Sequence, residues 1–147
     1  NVAIHKNTSM EVCLETRQDL IELLKTSPYD FIILKFKADW CRPCKVIEPF
    51  VHDLVDKKIA QLDKENKKDV FLYVEVDVDV CFDLYAFLKQ KKRINGIPAM
   101  FLYCKTLYKQ QDPEYQYIPQ SSVTGANESG IKKLFELIQW IINLVYL

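Results

Sequence analysis

Neither sign of charge is in excess: 20 lysines and arginines balance 20 aspartates and glutamates over 147 residues. Proteins that hold nucleic acid through its phosphates carry a basic surplus, so the charge gives that function no support. The longest basic cluster, Lys89-Gln90-Lys91-Lys92-Arg93, falls where a helix beginning near Phe82 is expected to end, and cations there complement the helix dipole. Also lacking is an apolar run long enough to cross a bilayer. The nearest stretch, residues 134–147, is short and is broken by Glu136, Gln139 and Asn143. Its Leu134, Leu137, Ile138, Ile141, Leu144 and Val145 recur at helical spacing, which predicts a last helix packed on a sheet; Phe135, Ile142 and Tyr146 lie off that stripe. Metal ligands are sparse. There is one CxxC, the other cysteines are isolated, and His5 and His52 lack paired spacing, which argues against zinc and leaves the metal expectation at none.

Five cysteines leave an odd number once one pair is removed, so a fully paired secretory disulfide framework is not expected. A reducing, cytoplasmic setting is the simpler expectation. The chain begins at Asn1, as an excised or processed product does, so an organellar or secretory setting stays open. Asn7-Thr8-Ser9 and Asn127-Glu128-Ser129 match the glycosylation sequon, a pattern with meaning only on the secretory route. No internal repeat is present, and 49% hydrophobic residues fit one domain over residues 1–147 with a core at about 10–145.

What stands out against these absences is Trp40-Cys41-Arg42-Pro43-Cys44-Lys45. An apolar run at residues 31–37 before it reads as a mostly buried strand. Residues 45–58 after it carry Val46, Ile47, Phe50, Leu54 and Val55 at roughly helical spacing. The two thiols therefore sit where a strand feeds a helix. Unpaired amides and the positive end of the helix dipole there favour a thiolate over a thiol, which makes Cys41 the nucleophile. Cys44, one turn along, is placed to resolve a mixed disulfide formed at Cys41. Pro43 suits an early helical position, where its missing donor costs nothing. A purely structural disulfide is a poor alternative, because so small a loop restricts the unfolded chain little.

The remaining elements read as a strand at 10–13 and a helix at 16–25 bearing Leu20, Ile21, Leu23 and Leu24, stopped by Ser27-Pro28. The active-site helix is expected to kink at Pro49, and a charged stretch at 63–69 leads to a strand at 71–76. A helix at 82–91, strands at 99–103 and 115–118, and the last helix follow. Alternating strands and helices, then a hairpin and a helix, indicate an α/β architecture with a central mixed β-sheet flanked by helices.

Together with WCRPCK, Pro49, Val74-Glu75-Val76-Asp77-Val78-Asp79, Gly96-Ile97-Pro98 and Val123-Thr124-Gly125-Ala126-Asn127 occur in the order seen in thioredoxins. The chain resembles the thioredoxin family from about residue 10 to 145. The resemblance implies the thioredoxin fold, with a cis Ile97-Pro98 peptide and a substrate groove made by Trp40, Ile97, Pro98 and Gly125; simple core packing is the other reading of Trp40. It implies a monomeric reductase of protein disulfides that needs no bound cofactor and is recharged by a thioredoxin-reductase-type or other thiol donor.

Several departures from the family pattern bear on that activity. Lys35 stands where the family usually has a buried aspartate. An ion pair with Glu75 beneath Cys44 is expected, since a buried ammonium is costly alone. Lys35, and Arg42 in place of a common glycine, favour thiolates and a more oxidising pair, although an exposed Arg42 is screened. An oxidase- or isomerase-like member, or an adaptor that binds a partner through its hairpin or last helix, are therefore the alternatives. Residues 57–69 and 105–120 are longer than in the minimal family form. Cys13 and Cys104 read as buried apolar residues. Cys81 reads either as inert or as a site of regulatory oxidation.

Overall fold

The computed structural model describes residues 7–11 and 14–146. Its centre is β2, Phe31–Lys37, whose first six residues are all buried, as an apolar strand covered on both faces should be. Strands β1 (Thr8–Glu11), β3 (Phe71–Asp77), β4 (Ala99–Cys104) and β5 (Ser121–Thr124) complete a sheet of order β1-β3-β2-β4-β5. The β1, β3 and β2 strands run parallel, and β4 pairs antiparallel with both β2 and β5. Cys13, expected at the end of the first strand, lies outside the described residues.

Alternate residues of β2 divide the core. Ile32, Leu34 and Phe36 pack with Leu20 and Leu24 of α1 (Arg17–Thr26) and Leu84 and Leu88 of α3 (Phe82–Gln90). Phe31 and Ile33 face Ile47, Val51 and Val55 of α2 (Arg42–Lys64) and Ile131, Leu134 and Ile138 of α5 (Glu128–Val145). The fold starts α1 with a capping box, in which the Thr16 hydroxyl accepts from Asp19 N–H and the Asp19 carboxylate accepts from Thr16 N–H.

Three expectations are corrected. No strand forms at 115–118. Pro113–Tyr115 is a turn of 3-10 helix started by the Asp112 carboxylate, which accepts from Glu114 N–H, and the last strand begins only after Pro119. Tyr117 instead packs its ring 5.1 Å from Phe87, and its carbonyl accepts from the Tyr103 hydroxyl at 2.6 Å. The lengthened 105–120 segment, which opens with the short helix α4 (Lys105–Tyr108), is thereby tied down. Likewise the 57–69 connection is largely two further turns of α2, which runs through Pro49 to Lys64. The buried stripe of α5 is Ile131, Leu134, Phe135, Ile138 and Ile142, whereas Leu144 and Val145 are exposed. Phe135 and Ile142 share the arc of Leu134 and Ile138, and the last turn runs past the core it would need for burial.

Candidate active site: a disulfide where a strand feeds a helix

The turn after β2 delivers Cys41 onto the first turn of α2. Cys41 N–H donates to Ala38 O at 3.1 Å, Cys41 is the N-cap, and its Sγ accepts from Cys44 N–H at 3.2 Å. The sequence builds this start readily: Pro43 occupies the first turn, and no acidic residue there opposes a negative sulfur. Cys41 and Cys44 are joined as a disulfide. Both are 3% exposed in that form, so exposure does not distinguish the two sulfurs; they differ in that Cys41 caps the helix and Cys44 lies within its first turn. Arg42 is exposed between them.

The Ile97-Pro98 peptide is cis, as expected. Pro98 O accepts from Gly125 N–H at 2.8 Å, and Gly125 has φ +85, a conformation glycine adopts without a Cβ clash. Ile97 packs against the core cluster that contains both cysteines. Trp40 is 67% exposed, so it is no core residue, and its Nε1 donates to Asp79 Oδ2 at 2.9 Å. Asp79 is a site residue that the sequence reading passed over. It lies in the run that carried the family resemblance, but its link to Trp40 spans 39 positions and leaves no local pattern.

The Lys35–Glu75 ion pair does not form. The two residues are register partners on β2 and β3, yet the Glu75 carboxylate accepts from His52 Nε2 at 2.7 Å and Tyr73 OH at 2.8 Å, and pairs with Lys37 Nζ at 3.4 Å. Lys35 is fully buried, and its Nζ has no hydrogen-bond partner among the described residues, neither sulfur included. Burial lowers the Lys35 pKa; Glu75 and Glu48 oppose the shift from a distance, and Lys37 adds to it. For Glu75 burial works upward, but the hydrogen bonds from His52 and Tyr73 and the charges of Lys35 and His52 outweigh it and hold the carboxyl below its usual value. Glu48, His52 and Glu75 bring ligand atoms within 4.8 Å of one another. Lys37 at one carboxylate oxygen and the nearby Lys35 ammonium already supply positive charge there, which works against a metal cation.

Cys81 caps α3 and is 1% exposed, which favours its inert reading. Cys104 ends β4 at 2% exposure, and burial pushes its thiol up to about 11. Iodoacetamide at pH 8 is therefore expected to label Cys104 only after unfolding, as mapped by mass spectrometry of peptides. Labelling of the native protein at the rate of a free thiol in solution would contradict this.

A disulfide at a strand-to-helix junction, packed with a cis-proline segment on a mixed sheet, defines a thiol–disulfide oxidoreductase centre. The thioredoxin family model matches residues 12–128. Thioredoxin of Echinococcus granulosus is 30% identical over 108 residues, covering 71% of this chain and 75% of that protein. Mouse thioredoxin is 34% identical over 73 residues, which span 50% of this chain and 60% of that one. The reduced thioredoxin pre-protein of Schistosoma mansoni shares the fold, with a TM-score of 0.58 at 22% identity over 91% of this chain and 98% of that one. The chain belongs to the thioredoxin family. No helix among the described residues is long and apolar enough to cross a membrane.

Proposed function

We propose that the protein reduces disulfides in other proteins, with Cys41 as nucleophile, and the observation that carries this reading is Cys41 at the N-cap of α2 with its sulfur on the Cys44 amide. The Cys41 thiolate attacks one sulfur of the substrate disulfide, forming a mixed disulfide and releasing the first substrate sulfur as a thiolate, which takes a proton from water. Cys44 then loses its proton and attacks the Cys41 sulfur, releasing the second substrate thiolate and leaving the Cys41–Cys44 disulfide. Two electrons pass to the substrate, and an external thiol donor must return them. Trp40, Ile97, Pro98 and Gly125 receive the substrate chain, Pro43 preorganises the helix start, and the protein acts as a monomer without a bound cofactor.

The unpartnered Lys35 ammonium and the exposed Arg42 favour a second reading, in which the pair is more oxidising and works as an oxidase or isomerase. The reduction potential decides, measured against glutathione buffers with alkylation and mass spectrometry. We expect a value within about 30 mV of −270 mV, as for a general reductase. A value near the roughly −180 mV of an isomerase would support the oxidising reading, and absence of any reversible titration would leave the fold as an adaptor.

A further inference from the structure

The turn to which Trp40, the neighbour of Cys41, is hydrogen-bonded displays large apolar side chains at the surface. The turn from β3 into α3 is tightly tied: Val78 N–H donates to Lys37 O at 2.9 Å, Cys81 N–H to Asp77 O at 2.8 Å, and Asp79 N–H to the Asp77 carboxylate at 2.9 Å. Within it Val78, Cys81 and Leu84 point into the core at 3%, 1% and 0% exposure. Val80 and Phe82, alternating with them, stand out at 60% and 68%. The bond from Trp40 to Asp79 fixes a third large apolar side chain, 67% exposed, against this same turn.

We infer that Trp40, Val80 and Phe82 form a docking surface for a large apolar side chain of the substrate, flanking the disulfide to be reduced. The inference rests on the reading of the protein as a disulfide reductase. Three arguments support it. Trp40 adjoins Cys41 in the chain and is bonded to the turn that carries Val80 and Phe82, so the surface is continuous with the reactive site. The surface is also preorganised, since the indole is pinned by its hydrogen bond and the turn by its backbone bonds, so docking orders little that was loose. Finally, exposed apolar side chains gain when covered, and Phe82, at the first position of α3, stands largely exposed. The occupant that fits is an aromatic or long aliphatic side chain: the Trp40 N–H is already taken by Asp79, and the Val80 and Phe82 side chains carry no polar atom.

The test uses two synthetic peptides with the same internal disulfide, one with Phe and one with Ser two residues before the first cysteine. The protein is reduced with dithiothreitol, desalted and mixed with each, and the second-order rate constant is read by acid quench and alkylation. The Phe peptide is expected to react about tenfold faster, the discrimination one apolar contact supplies, and in the V80S/F82S double variant the ratio should fall below about twofold. Both changes are at exposed positions, so the fold is retained. Equal rates in the unaltered protein, or a ratio that survives in the double variant, would overturn the docking surface while leaving the reductase standing. Failure to reduce either peptide would overturn the reductase reading and this inference with it. A concentration-dependent dimer in sedimentation that the double variant abolishes would assign the surface to a second copy of the chain instead.

Discussion

Replacing Cys44 with serine is expected to turn the protein from a catalyst into a trap. Cys41 retains its place on the amides of α2, so it still attacks a substrate disulfide, but the group that would release the mixed disulfide is gone. Turnover against a protein disulfide should fall by at least about a thousandfold, the scale of removing one member of a concerted catalytic set. A covalent adduct through Cys41 should accumulate, visible on non-reducing gels and dispersed by dithiothreitol. Cys41→Ser should lose turnover equally and trap nothing. The pair of variants matters here because both sulfurs are equally covered in the disulfide, so the assignment of roles depends on which sulfur lies at the helix end. Trapping by Cys41→Ser instead would reverse the roles and show that the helix terminus does not set reactivity.

The parts of this site that were legible in the sequence are those whose cause is local. A run of apolar residues interrupted only by Lys35 is its own evidence for β2, and a CxxC with proline behind a strand specifies a helix start; the cis Ile97-Pro98 peptide was legible only through the thioredoxin resemblance. The parts that were not legible depend on what arrives from elsewhere. Residues 115–118 have a strand-like composition, but Asp112 and Pro113 turn the chain first and Tyr103 captures the Tyr117 carbonyl. The Lys35 and Glu75 positions were correctly placed side by side. Their pairing failed because His52, one turn after Glu48 on α2, together with Tyr73 and Lys37, claims the carboxylate. Register fixes which Cα atoms are neighbours; the third element packed above decides which side chains bond.

That outcome leaves Lys35 as a fully buried amine with no hydrogen bond among the described residues, and Lys35→Met is expected to stabilise the protein. Methionine keeps the length of the stem and removes the cost of desolvating an unpaired ammonium, a gain of about 2 kcal/mol at neutral pH. The pH dependence identifies the cause. Because burial lowers the Lys35 pKa, the unfolded chain binds more protons than the folded one between that lowered value and about 10.4, so the stability of the unaltered protein rises with pH in this window. Below the window both states are protonated and the penalty is at its full size. The advantage of Lys35→Met should therefore be largest at and below the lowered pKa and shrink as pH climbs toward 10, as read by urea denaturation. In acid a second effect enters. Lys35 helps hold the Glu75 carboxyl below its usual value, so stability lost as pH falls through the Glu75 pKa should be smaller in the variant. Loss of a cation near the pair should also lower its reduction potential, by roughly 10–30 mV, since less thiolate stabilisation makes the disulfide harder to reduce. An advantage that stays constant from pH 6 to 10 would mean that Lys35 keeps its proton throughout, and that Glu48 and Glu75 together compensate its charge without touching it.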